Sequence, residues 1–243
     1  MVVTTTAISF ILLSLGLAVC GWRFWVAHKK TGDSQMGGRA GLLLSLAFFA
    51  TAIHNGILGI GALIAAPDPI NLYIVSVTAY LFLISFALLS VYTAFYIFLP
   101  LKSPFIAMSL TGGIGGIGLI TALSSNSRPF VTPGNGIDWN MDFAFALSVL
   151  SLFLISLSVF FYIFTRLFKI SEVREIRLLS LVVAATAFIG AVNIFIRLVL
   201  FRNAPSAVRT SLLDSGIGTI GAVFVVALIV FPVIKNWLKV LKK

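Results

Sequence analysis

The sequence predicts an all-α membrane protein, a bundle of seven transmembrane helices with its N-terminus outside and its C-terminus in the cytoplasm. Three observations predict this. Of 243 residues, 60% are hydrophobic and only 10% charged, where a soluble domain carries roughly a quarter charged residues. The apolar residues gather into runs of about 20 residues, the length a spanning helix needs. The basic residues fall mainly in alternate gaps between those runs, and that alternation orients the chain.

The runs cover residues 7–26, 41–66, 72–99, 105–123, 141–165, 178–201 and 212–233. The second and third exceed the thickness of the hydrocarbon layer and are expected to tilt. Proline tends to stop a helix, and Pro67, Pro69, Pro100, Pro104, Pro129, Pro133 and Pro205 fall between runs or at their edges. Pro232 lies just inside the last run, where a kink is expected. One set of gaps holds Arg23, Lys29, Lys30 and Arg39, then Lys102, then Arg166, Lys169, Arg174 and Arg177, then Lys235, Lys239, Lys242 and Lys243. The alternate gaps hold Arg128, Arg202 and Arg209, with Arg197 just inside a helix. Placing the basic set inside gives seven spans and one consistent orientation, in the cell membrane.

The whole chain, 1–243, is one membrane domain, with no room for a separate soluble one. Its net charge of +10 reads as topology signal and contact with anionic lipid, not as a nucleic-acid footprint. The first run lacks the basic start of a signal peptide. Cys20 is the only cysteine, so an intrachain disulfide is impossible and Cys20 is an ordinary helix residue. The longest outer connection, residues 124–140, is rich in Ser, Asn, Pro and Gly, a turn-rich loop placed to act as a lid.

Helix two opens LLSLAFFATAI from Leu43, and helix six opens LLSLVVAATAF from Leu178. Seven of these eleven positions are identical, Thr51 matching Thr186. Two readings compete. One is a parallel 3+1+3 repeat, with units 7–99 and 141–235 joined by a linker helix at 105–123. The other is chance, since Leu, Ala and Ser dominate any membrane helix.

Polar side chains are costly within a bilayer, so each is a functional candidate. His54 and Asn55 lie near the middle of helix two. Asn193 and Arg197 lie one turn apart on helix six and share a face. Asp214 opens helix seven, and Asp138 and Asp142 flank the start of helix five. Glycines cluster in the same halves of helices two, four and seven. Taken singly, each polar group has a bland reading: Arg197 snorkels, Asp214 caps its helix, His54 bonds a carbonyl. Taken together, they predict an outward-facing cavity whose substrate-binding residues are His54, Asn55, Asn193, Arg197 and Asp214, with Arg197 and Asp214 as an ion pair bridged directly or through water.

Several chemistries are excluded. Gly113–Gly118 and Gly216–Gly221 match GxGxxG, but both lie inside spans and follow no strand. Two histidines and one cysteine make no metal-ligand spacing, and GxSxG is absent. No cofactor and no catalytic residue is expected. In outline the bundle resembles rhodopsins and SWEET-type sugar transporters, which share its helix count and orientation. A retinal protein needs a lysine within helix seven, and the nearest, Lys235, lies at its cytoplasmic end. Two functions remain. The first is a transporter or channel for a small polar molecule or ion, with Arg197 attracting an anionic substrate. The second is a receptor-like or accessory subunit that signals to a cytoplasmic protein partner through its basic loop and tail.

Overall fold

A computed structural model describes residues 5–31, 36–66, 68–99, 101–170 and 174–226. The helices are α1 (Thr5–Thr31), α2 (Met36–Ala65), α3 (Pro69–Phe98), α4 (Phe105–Ser124), α5 (Phe143–Ile170), α6 (Arg174–Phe195), which runs on into a π-turn at Ile196–Leu200, and α7 (Ser206–Val225). Among the described residues six helices, α1 to α6, are long and apolar enough to cross a membrane. The chain is therefore all-α in its body, and its helices are those of an integral, multi-pass membrane protein.

Local signals set the helix ends. Asp68 caps α3, its carboxylate accepting from the backbone N–H of Ile70 at 2.8 Å, and Pro69 takes the first helical position, where no N–H is needed. Pro104 and Pro205 stand at the N-caps of α4 and α7. α7 begins two turns before the expected residue 212, so Asp214 lies within the helix and does not open it. The expected seventh span, 212–233, is described only to residue 226; Pro232, Trp237 and the basic tail lie outside the described residues.

The expected loop at 124–140 contains a small antiparallel hairpin, β1 (Phe130–Val131) with β2 (Ile137–Asp138). Its turn uses Asn135 at φ 57°, a left-handed conformation that asparagine tolerates better than most residues. Thr132 N–H donates to Gly136 C=O at 2.8 Å and closes the turn. The hairpin is tied to α1 by Thr5 N–H donating to Asn135 C=O at 3.3 Å and by Ile137 N–H donating to Thr6 Oγ1 at 2.9 Å.

The helices pack in a closed ring: α1 on α2, α2 on α3, α3 on α5, α5 on α6, α6 on α7, and α7 back on α1. α4 stands outside the ring, against α3 and α5. Much of α4 is therefore exposed, as Ile106, Leu110, Ile117 and Ile120 show. Tyr80 and Ser148 pin it in place: their hydroxyls lie 2.6 Å apart, and Ser148 Oγ donates to Ile114 C=O at 2.7 Å. Glycine allows the closest approaches to α1. A Cβ on Gly59 would stand 3.0 Å from Ile11 N, and one on Gly221 2.7 Å from Leu13 N.

The two ends of the ring differ. The loop end gathers the start of α1, the α2–α3 turn, the hairpin and the start of α7. The basic end gathers the far ends of α1, α3 and α5. There Phe24, Phe48, Phe86, Phe160 and Phe164 pack ring against ring, with Phe48 and Phe160 centroids 5.0 Å apart. Phe48 and Phe160 also form the floor of the space within the ring.

Candidate functional site

The ring encloses a cavity of about 150 Å³. All six ring helices contribute to its wall, and among the described residues α4 contributes none. The wall is mainly aromatic and aliphatic, because each ring helix turns its large apolar side chains inward: Phe10 and Leu17 from α1, Tyr80 and Leu83 from α3, Phe145 and Phe153 from α5.

Four of the five expected site residues line this cavity: His54, Asn55, Asn193 and Arg197. His54 is buried on α2 against the edge of Phe153, with centroids 5.6 Å apart. Its Nδ1 lies 2.7 Å from Ala79 C=O. A carbonyl only accepts, so Nδ1 carries the proton, and in the neutral ring Nε2 is a bare acceptor. Asn55 donates from Nδ2 to Thr51 C=O one turn back, at 2.7 Å, which uses part of its amide within its own helix. Asn193 reaches from α6 to α7, Nδ2 donating to Leu212 C=O at 3.3 Å. Its Oδ1 is buried and has no partner among the described residues.

Asp214 is not on the cavity wall. Its Oδ2 accepts from Thr5 Oγ1 at 2.6 Å and Thr6 Oγ1 at 2.9 Å, and its backbone C=O accepts from Ser9 Oγ at 3.0 Å. It fastens α7 to the start of α1. Of the two bridges expected between Asp214 and Arg197, direct or through water, the direct one is not formed among the described residues. Among the described residues the ion pair at this end is Arg209 with Asp138, 2.5 Å apart. Arg209 also donates to Arg202 C=O at 2.8 Å, and Asp138 Oδ1 accepts from Asn140 N–H at 3.0 Å.

A second, polar space of about 220 Å³ lies at the loop end. Its wall carries Arg197, Arg202 and Arg209 against Asp138 and Asp142, three positive charges against two negative. Arg202 rests on the face of Phe143 at 4.8 Å. The hydroxyls of Ser125 and Ser127 beside Asp142 hold its carboxyl below the usual carboxylate value, and Ser127 Oγ donates to it at 2.6 Å. Arg197 stands between the two spaces and lines both. Among the described residues it has no ion pair and no side-chain hydrogen bond; Asp138 and Asp214 act on it only from longer range.

Sequence reasoning missed Trp139, Arg209 and the phenylalanine floor. Trp139 is buried on the cavity wall with its Nε1 unpartnered among the described residues. Asp138 and Arg209 were visible only as a loop acid and a loop base, 71 positions apart in the chain. Comparison with known proteins yields no match to a family model, a curated protein or a solved structure.

Proposed function

We propose that the chain is a seven-span transporter for a small polar or anionic molecule, entered from the loop end and built as two three-helix units joined by α4. The observation that carries this reading is the ring: it encloses a cavity with a phenylalanine floor at one end and a charged vestibule at the other. Arg197 stands where a substrate passes from the second into the first.

The orientation places the loop end outside the cell membrane. Arg23, Lys29, Arg39, Lys102, Arg166, Lys169 and Arg177 all belong to the other end, which supports a cytoplasmic assignment. The ring order supports the repeat, because advancing every ring helix by one unit, α1 to α5, α2 to α6 and α3 to α7, leaves the neighbours unchanged. The register of α2 and α6 supports it too. Phe48, Thr51, Asn55 and Leu58 line the cavity, and so do Val183, Thr186, Gly190 and Asn193, the residues 135 positions later. Thr51 and Thr186 each donate to the carbonyl four residues back, at 3.1 and 2.8 Å. In this reading Arg197 attracts the substrate, His54, Asn55 and Asn193 orient it, and Asp214 holds α7 against α1.

The test is reconstitution into liposomes with an uptake screen across small anions, zwitterions and neutral solutes. The expected result is uptake of one class, lowered roughly tenfold or more by Arg197→Gln and little by Arg202→Gln, since Arg202 already rests on Phe143. Absence of uptake for every class, by protein that remains folded, rejects transport. The phenylalanine floor favours the second reading in that case: a receptor-like or accessory subunit that binds its ligand in a sealed pocket and signals to a cytoplasmic partner.

A further inference from the structure

The cavity is long and narrow. Its α5 wall runs from Phe145 to Phe160 and its α6 wall from Val183 to Leu198, about 22 Å each at the rise of an α-helix. The centre of a water-sized sphere can move through about 150 Å³; spread over roughly 20 Å and widened by the sphere's own radius of about 1.4 Å, that leaves a section of roughly 25–30 Å². That is the shape of an extended chain. A compact ring or a sugar does not suit it.

The chemistry of the wall agrees. The hydroxyls of Thr51 and Thr186 are bonded to their own helices, and Asn55 donates to its own helix. Along the α3 and α5 walls, where Leu83, Phe86, Val149, Phe153, Leu157 and Phe160 face the slot, a polyol's hydroxyls would be left without partners. A cation would meet Arg197 and, among the described residues, no acid on the wall, since Asp214 lies off it. Two donors of the wall have no partner among the described residues, the guanidinium of Arg197, which also lines the polar space, and the indole N–H of Trp139. A carboxylate or phosphate oxygen accepts from both kinds of group.

We propose that the chain binds a single-chain amphiphile with an anionic head, its head at Arg197 and its hydrocarbon chain in the slot. This rests on the same cavity as the proposed function and names the class of molecule it takes.

The experiment uses the full chain in zwitterionic lipid nanodiscs, with empty nanodiscs as the partition control. Binding of radiolabelled decanoate is competed with decanol, decyltrimethylammonium, decyl phosphate and acetate. Decanoate should compete at least tenfold better than decanol, with the cation and acetate ineffective. Decyl phosphate separates the two sources of an anionic head: binding tighter or weaker than decanoate assigns a phospholipid-derived or fatty-acid ligand, and either keeps the proposal. Arg197→Gln should weaken decanoate roughly tenfold and leave decanol within about twofold. A Cβ at Gly190 would lie 3.6 Å from Leu157 and 3.8 Å from Ile220, ordinary contact. Gly190→Ala should therefore keep binding, and Gly190→Leu, which fills the slot, should abolish it. Acetate competing as well as decanoate, decanol matching decanoate, or full binding by Gly190→Leu each overturns the proposal. Solute uptake without decanoate binding rejects this proposal and leaves transport standing. Decanoate binding without any uptake does the reverse.

Discussion

Arg209→Met should loosen the hairpin at the loop end far more than Asp138→Asn does. Asp138 is 3% exposed, and the Arg209 side chain is 25% exposed. Removing one partner of a buried pair costs about 3–5 kcal/mol. The partial exposure of Arg209 screens the charge and lowers that to about 2–3 kcal/mol. Methionine leaves the buried carboxylate with only the Asn140 N–H. Asparagine at 138 still accepts from Asn140, and Arg209 still donates to Arg202 C=O, so that change costs about 1 kcal/mol. The double variant should be less perturbed than Arg209→Met alone, because no buried charge is left over.

The readout is hydrogen exchange at the amides of Thr132 and Ile137, whose bonds close the hairpin turn and tie it to Thr6. At 1.4 kcal/mol per tenfold, Arg209→Met should speed their exchange roughly thirtyfold or more, and Asp138→Asn by roughly fivefold. Global thermal stability should fall less, since the opening is local. A change under about threefold for Arg209→Met, or a larger effect for Asp138→Asn, would show that the ion pair does not hold the hairpin down.

Orientation is checked with single cysteines in a Cys20→Ala background. Asn126→Cys and Ser103→Cys are exposed at opposite ends, and an impermeant thiol reagent added outside should label the first and reach the second only after permeabilisation; the opposite pattern reverses the topology. Glycine substitutions separate packing from lipid-facing positions. Gly116 has nothing within 4 Å of an added Cβ, so Gly116→Ala should be neutral or raise thermal stability by up to about 1 kcal/mol. Gly221→Ala presses on the α1 backbone and should lower it by about 1–3 kcal/mol; equal effects at the two sites would refute the close α1–α7 approach.

The helices were legible because hydropathy over twenty residues is a cumulative signal, and α1 to α6 lie within a few residues of the runs read from it. α7 was harder. Ser206, Arg209, Thr210 and Asp214 dilute its first two turns, and their cost is met by partners elsewhere, Asp138 for Arg209 and Thr5 and Thr6 for Asp214. Such compensation is invisible until the ring closes and brings residue 5 beside residue 214. The same closure decided the ion pair. Arg197 and Asp214 were plausible partners on neighbouring helices, but Asp138 arrives from the hairpin and takes Arg209. The hairpin strands, two residues each, are too short for alternation to register. Phenylalanine is spread through all the long helices, so no local pattern marked the five that meet at the basic end.

The π-turn at Ile196–Leu200 explains why the mouth at Arg197 is open, and a deletion can test it. Asn193 and Arg197 are one α-turn apart and both face the cavity. Had α6 continued regularly, residue 201 would come round on that face one turn later, putting a phenylalanine across the passage to the vestibule. Instead Phe201 N–H donates to Ile196 C=O, five residues back, at 2.9 Å. The wide turn rotates the chain beyond it by about 100° relative to an α-helix. Phe201 becomes 38% exposed, while Arg202 reaches the vestibule wall. Val199 is 45% exposed on the outside of the turn, so deleting it removes the extra residue without removing a core side chain. The deletion should restore regular α-helical bonding and leave Arg202, now four residues after Arg197, on that face, with Phe201 still turned away from the mouth. A cysteine at Thr186, on the cavity wall, should then react with a small thiol reagent within about twofold of its rate in the parent, while thermal stability stays equal or rises. A roughly tenfold fall in reactivity in a folded deletion variant would mean that the extra residue of the π-turn is not what keeps Phe201 off the entrance.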